Sequence, residues 1–223
     1  MSYAEANRRY FDAISDSYDS KPWFKVVNDR VATTLRSDLS WVGIPFTDST
    51  TQPVRLLDYA CGTGLMTRVF GPYVTSTQGI DISPNMVSTY NSRARDAGLS
   101  EDVVNAIVGD LFDKSDPNPE SLSGDRFWNF DIATVGFGFH HFEDVVFAAR
   151  QLKERLRPGV VPHFTIDGVK QFFAEAGFVD VDVITMKEKN YMEFGGKKLW
   201  RTILFARGRR PMEGQDGSGK SEL

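Results

Sequence analysis

Long apolar runs, thiols and charge of one sign are all scarce in this chain of 223 residues. No apolar stretch approaches the ~20 residues that cross a bilayer as a helix, so no membrane span is expected. The polar, charged start from Met1 to Tyr10 does not read as a signal peptide, and none is expected. A single cysteine, Cys61, excludes an internal disulfide and makes a reducing, cytoplasmic setting the default expectation. The net charge of -4 argues against a general grip on nucleic acid, although bulk charge leaves room for a local basic patch. There is no internal repeat and no cue to oligomeric state. What is present is a 41% hydrophobic composition over a length that can bury one sizeable core.

The richest segment is Leu56-Leu57-Asp58-Tyr59-Ala60-Cys61-Gly62-Thr63-Gly64. Val54 to Leu57 is a short apolar run suited to a strand buried on both faces. Gly62 and Gly64 then permit backbone conformations and a close approach that side chains forbid. Leu65 to Phe70 is compatible with a helix ending at Gly71-Pro72, whose first amides would face the same ligand. A second strand ends at Gly79-Ile80-Asp81, where an acid can accept hydrogen bonds from the cis-diol of a ribose. Asp81 follows Gly64 by 17 positions, close to the ~20 expected of such a partner.

Two ligands compete on this pattern, a nicotinamide dinucleotide and S-adenosylmethionine. The dinucleotide fingerprint calls for a third glycine where Thr67 stands, and it does not require an acid at the end of the first strand. Asp58 favours S-adenosylmethionine, whose sulfonium and amino group have use for a nearby negative charge.

Further motifs follow in order: Gly79-Ile80-Asp81-Ile82-Ser83-Pro84-Asn85-Met86, Gly109-Asp110-Leu111, Phe130-Asp131-Ile132-Ala133 and Leu156-Arg157-Pro158-Gly159. With Leu57 to Gly64 they resemble the motif set of class I S-adenosylmethionine-dependent methyltransferases, of the small-molecule type related to the ubiquinone and menaquinone methyltransferases. The resemblance covers roughly residues 8 to 206. It implies an α/β, Rossmann-like, seven-stranded sheet with helices on both faces, order 3-2-1-4-5-7-6 and strand 7 antiparallel. By that resemblance the cofactor-binding set is Tyr18, Asp58, Ala60, Gly62, Gly64, Asp81, Ile82, Met86, Asp110, Leu111, Gly136 and Phe137. Gly62 and Gly64 would flank the methionine part, Asp81 hold the ribose, and Asp110 and Leu111 meet the adenine. Gly136 and Phe137 would lie beside the methionine end, with Tyr18 of the entry segment over the cofactor. No metal is expected.

Entry helices are expected at about 4–40, a connector at 47–53, and helices at 84–97, 144–156 and 169–176. Strands are expected at 103–108, 130–135, 179–186 and 199–205, the last two joined around Phe194-Gly195-Gly196. The domain is read as 1–206, with 1–45 as an entry or lid segment and 207–223 as a disordered tail. Within that tail Gly214 to Ser221 matches a phosphate-binding loop, but only Glu222 and Leu223 follow where a helix would be needed.

After Leu156-Arg157-Pro158-Gly159 the chain departs from the family pattern. Val160-Val161-Pro162-His163-Phe164-Thr165-Ile166-Asp167 runs straight toward a helix, and Pro162 cannot donate to an inner-strand ladder. Strand 5 is therefore expected to be shortened or missing through an internal deletion; the alternative is a short strand with a bulge at Pro162. An unpaired buried backbone group costs ~1–3 kcal/mol against a total stability of ~5–15 kcal/mol, so such a lesion would bear on activity.

His140 and His141 follow strand 4 at the ligand-binding end of such sheets, and either could act as a general base; a structural His-His-Phe turn is the competing reading. Trp23, Phe24, Trp41, Phe137, Phe139 and Phe142 could line an apolar acceptor pocket or simply pack the core and lid. Cys61 reads as a packing residue, there being no base near it in sequence. The function expected is methyl transfer by in-line displacement to a small, apolar or aromatic acceptor. The alternatives are a catalytically impaired binding or regulatory relative and, third, a nicotinamide oxidoreductase.

Overall fold

The computed structural model describes residues 2–42, 46, 52–162, 170, 173–194 and 197–212. The chain opens with α1 (Tyr3–Ile14), capped by the Ser2 hydroxyl, and α2 (Pro22–Ser37), with Pro22 in its first turn. In α2 the spacing of Phe24, Val27, Val31 and Leu35 forms one buried stripe. By contrast α1 has no buried residue. A short α3 (Leu39–Val42) follows. Most of the connector expected at 47–53 lies outside the described residues.

The sheet begins with β1 (Arg55–Tyr59), then α4 (Leu65–Phe70), β2 (Ser76–Asp81), α5 (Pro84–Asp96) and β3 (Val104–Val108). It continues with β4 (Phe130–Thr134), α6 (Val145–Arg155) and β5 (Leu156–Pro162). These strands form a parallel sheet in the order β3-β2-β1-β4-β5. β1 is central and buried from Leu56 to Tyr59, with Leu57 in one apolar cluster and the alternate residue Leu56 in another, so each face of the sheet has its own core. Ser83 caps α5 by accepting from the Met86 N–H, and Asp144 caps α6 by accepting from the Phe147 N–H.

A fifth strand is present, so of the expectation that strand 5 is shortened or missing only the second part is corrected. It is irregular, however. Leu156 pairs with Phe130 and Val161 with Ile132, so five residues of β5 advance against two of β4 before the register resumes at Pro162 opposite Ala133. The irregularity precedes Pro162 rather than falling on it. α6 also runs directly into β5, so the Leu156-Arg157-Pro158-Gly159 segment lies within the strand rather than forming a turn before it.

The remaining strands are β6 (Val179–Thr185), β7 (Asn190–Phe194), β8 (Lys197–Arg201) and β9 (Leu204–Arg209). β6 and β9 pair antiparallel, and β9 lies alongside β5, giving the spatial order 5-9-6. Among the described residues the hydrogen-bonded sheet nevertheless stops at five strands, and β6-β9 is a separate pair. The expected strand at 199–205 straddles two elements. Its first part belongs to β8, which pairs antiparallel with β7, and the outer strand starts at Leu204; Gly195 and Gly196 lie outside the described residues. β9 also continues to Arg209, into the segment read as tail, and the Arg210 guanidinium donates to the Leu156 carbonyl at 2.7 Å. Of the helix expected at 169–176, Val169, Gln171 and Phe172 lie outside the described residues, as does the Gly214 to Ser221 segment; Lys170 and Phe173 to Glu175 are helical. No described helix is long and apolar enough to cross a membrane.

Candidate active site

The strand–turn–helix unit after β1 is held by main-chain and carboxylate contacts. The Cys61 N–H donates to the Ile80 carbonyl and the Gly64 N–H to the Cys61 carbonyl (3.2 and 2.8 Å), closing a tight turn. Gly64 has φ of 90°, and a Cβ there would stand 3.0 Å from the Tyr90 ring, so both conformation and space require glycine. Gly62, at φ 49°, has nothing within 4 Å of a notional Cβ; its bare backbone faces open space.

That space is a cavity of about 400 Å³ at the carboxyl ends of β1, β2 and β4, where ligands bind in open parallel sheets. Ten of the expected residues meet in its wall: Tyr18, Ala60, Gly62, Asp81, Ile82, Met86, Asp110, Gly136, Phe137 and His141. Asp58, Gly64, Leu111 and His140 are not in it.

Asp81 is buried, and burial raises its pKa. Its two oxygens accept from the Gly62 N–H (2.8 Å) and the Ser83 N–H (2.9 Å), which aims the carboxylate along the cavity wall. Asp110 is aimed in the same manner. One of its oxygens accepts from the Tyr59 hydroxyl (3.1 Å) and the Phe112 N–H (2.8 Å), while Tyr59 accepts from the Leu111 N–H (2.9 Å). The last residue of β1 thus fixes the loop after β3, and Leu111 faces inward as a fully buried core residue.

Asp58 lies behind the glycine turn. One oxygen accepts from both the N–H and the hydroxyl of Thr67 (3.0 and 2.7 Å), so the first turn of α4 is engaged by protein. The Tyr90 hydroxyl donates in turn to Thr67 Oγ1 at 2.7 Å. Burial raises the Asp58 pKa to about 7, against the pull of the Thr67 hydrogen bonds.

The entry or lid segment expected at 1–45 supplies a roof, although of its cavity-lining residues only Tyr18 was singled out from the sequence. Ser2, Tyr3, Asn7 and Phe11 of the first helical segment line the cavity. Asn7 Nδ2 donates to the His141 carbonyl at 3.0 Å, and Asp12 accepts from the Ser83 hydroxyl (2.5 Å) and the Asn85 N–H (3.2 Å). Asp19 accepts from the Thr63 hydroxyl at 2.7 Å and pairs with Arg93. Phe112 was also missed, although it stands two residues after Asp110. Its ring packs 4.3 Å from Tyr59 and 4.6 Å from Phe142, forming an aromatic end to the cavity. Asp81, Asp110, Asp113, Glu143 and Asp144 outnumber Lys114, which is itself paired with Asp144 at 2.6 Å. The wall favours a cationic ligand.

With this geometry in place, comparison with known proteins is decisive. A methyltransferase domain model matches residues 57–161. An uncharacterized methyltransferase of Schizosaccharomyces pombe is 31% identical over 134 residues, 60% of this chain and 45% of that protein. The 2-phytyl-1,4-naphthoquinone methyltransferase of Synechococcus elongatus is 30% identical over 153 residues, 67% of this chain and 58% of that protein. The magnesium protoporphyrin IX methyltransferase of Synechocystis, solved with bound S-adenosylmethionine, superposes with a TM-score of 0.63. That likeness, at 14% identity, covers 94% of this chain and 98% of the other and concerns the fold. The chain belongs to the class I S-adenosylmethionine-dependent methyltransferase family. The matched segment spans less than two thirds of either curated relative.

As a family member the chain uses its other singled-out residues in several ways. His141 reaches the cavity, packs edge-on against Phe11 at 5.0 Å, and has its pKa lowered to about 4 by burial and by the neighbouring His140. His140 is exposed. Phe24 is buried against Tyr18 (4.8 Å), and the Trp41 indole donates to Asp182 at 2.9 Å; neither they nor Trp23 line the cavity. Cys61 is buried beside Val87 and Tyr90, with its thiol pKa raised by burial.

Proposed function

We propose that the chain transfers a methyl group from S-adenosylmethionine to a small, apolar or aromatic acceptor. The observation that carries this reading is the acid-rich cavity into which the family's motif residues converge. Its size suits one small ligand. The bare backbone at Gly62, the aimed carboxylate of Asp81 and the aromatic end at Phe112 and Phe142 fit an adenosyl cation. Dinucleotide phosphates, being anionic, would be repelled by the same wall.

In this reading Asp81 accepts from the ribose diol, Asp110 and the Phe112 ring hold the adenine, and Gly62, Gly136 and Phe137 border the methionine end under Tyr18. Asp58 acts indirectly, by anchoring the turn through Thr67. The bound cofactor supplies a methyl carbon activated by its sulfonium. The acceptor's lone pair forms the new bond as the carbon–sulfur bond breaks toward sulfur, and the acceptor's proton leaves to solvent or to a base. Because positioning accounts for much of such a rate, the protein's task is to hold two reactants in line and keep water out. His141 borders the cavity and His140 is turned outward, so His141 is the base candidate by position, although burial, by lowering its pKa to about 4, makes it a weak proton acceptor. The aromatic acceptor is supported by the naphthoquinone relative.

The test is a methyl-transfer assay with methyl-labelled S-adenosylmethionine and reduced 1,4-naphthoquinone, phenolic and amine acceptors. Label in an aromatic product, with matching S-adenosylhomocysteine, is expected. Cofactor binding without transfer to any acceptor would favour the impaired alternative, for which the irregular β5 is the specific observation.

A further inference from the structure

A second, smaller cleft of about 80 Å³ adjoins the first between α2, α4, the end of β4 and the start of β9. It is lined by Val31, Leu35, Leu65, Met66, Ile203 and Phe205, and no ionisable side chain reaches it. Its one hydroxyl, on Thr134, is engaged with the Leu57 carbonyl at 3.3 Å. Gly136 and Phe137 belong to the walls of both spaces, so these two residues form the partition between them. The partition is thin: a Cβ on Gly136 would stand 2.8 Å from Met66 Cγ, so a larger residue would force Met66 into the cleft. Phe137 is held at φ 58°, a left-handed conformation that a bulky residue adopts only when its surroundings impose it, and one that gathers at functional sites.

We propose that this cleft is the subsite for the hydrocarbon part of the methyl acceptor, and that Phe137 is the residue that sets acceptor shape. The inference rests on the methyltransferase reading, which puts the methionine end of the donor on the other side of the same partition. The larger cavity is lined by carboxylates and suits a charged adenosyl ligand. The cleft offers mainly apolar contact. An uncharged ring edge or branched alkyl end fits it, with the nucleophilic atom directed across Gly136 and Phe137. Met66 supplies an adaptable wall.

The experiment uses the full chain with labelled methionine, leucine, isoleucine and valine methyls, saturated with S-adenosylhomocysteine and titrated with 2-naphthol. The expected result is a shift of the Met66 and Ile203 methyl signals while the adenosyl ligand remains bound. Leu204→Phe, at the cleft's half-buried edge, is expected to weaken naphthol by about tenfold and leave S-adenosylhomocysteine affinity unchanged. Leu204→Ala, which keeps the test available if the larger residue unfolds the protein, is expected to strengthen naphthol binding. Naphthol that fails to bind the native chain, displaces the adenosyl ligand, or is indifferent to both substitutions overturns the proposal. Absence of S-adenosylhomocysteine binding would instead overturn the cofactor reading.

Discussion

Asp58 and Asp81 end neighbouring strands, yet they meet different surroundings. Asp58 has Thr67 and Tyr90 as partners and is buried with its pKa raised to about 7, whereas Asp81 borders the cavity. For a carboxyl that rises from 3.8 unfolded to about 7 folded, the native state holds the proton more tightly between those values. Its contribution to stability is therefore greatest in acid and falls as pH rises through that window, levelling above about 7. Asp58→Asn should flatten the melting temperature against pH over this range relative to the native protein, and coincident slopes would refute the assignment. Asp81→Ala should weaken S-adenosylmethionine by tenfold or more in a titration, since a hydrogen bond to a charged group contributes about 1.5–3 kcal/mol. Both acids were readable from their place at strand ends. Their division of labour was not, because it depends on Thr67 and Tyr90, which reach Asp58 only after α4 and α5 have packed.

Among the described elements, α1 is attached without a buried residue, through polar contacts of Asn7 and Asp12 to the body. Such a segment opens at lower free energy than the sheet it covers. Asp12→Ala removes the acceptor for Ser83 and Asn85 at the first turn of α5. It should raise hydrogen exchange across α1 and speed cofactor release several-fold, with the melting temperature changed little; unaltered exchange in α1 would show that these contacts do not hold it. The entry helices were recognisable from their periodicity and from Tyr18. That 1–45 would act as a lid was expected, but the contacts that fasten it were hidden, since Asn7 and Asp12 find their partners only across the fold. β5 teaches a related lesson. Pro162 marked a troubled strand, but the slip lies upstream, where Leu156 pairs before α6 has fully turned away.

At the scale of the whole molecule, the cavity lies at the ends of β1 to β4, and β5 joins these strands to the β6-β9 pair through packing and through Arg210. Arg210 ties the end of β9 to the α6–β5 junction, donating to Leu156 and, at longer range, to Lys153 and Glu154. Arg210→Ala should cost about 1–2 kcal/mol in chemical denaturation, while S-adenosylmethionine affinity stays constant; no loss of stability would mean that the strap carries nothing. The parallel order of the first four strands was legible because each ends in a motif tied to one ligand. Of the outer strands, the one expected at 179–186 was legible and is β6, but the last was not, since Leu199 and Leu204 carry the same apolar signal although only the latter belongs to the outer pair. The central claim is that the cavity is built for an adenosyl cation. Calorimetric titration of the full chain with S-adenosylmethionine, S-adenosylhomocysteine and NAD tests it most directly. The account predicts saturable binding of both adenosyl ligands at one site per chain and no heat with NAD; binding of NAD with neither adenosyl ligand bound would contradict it.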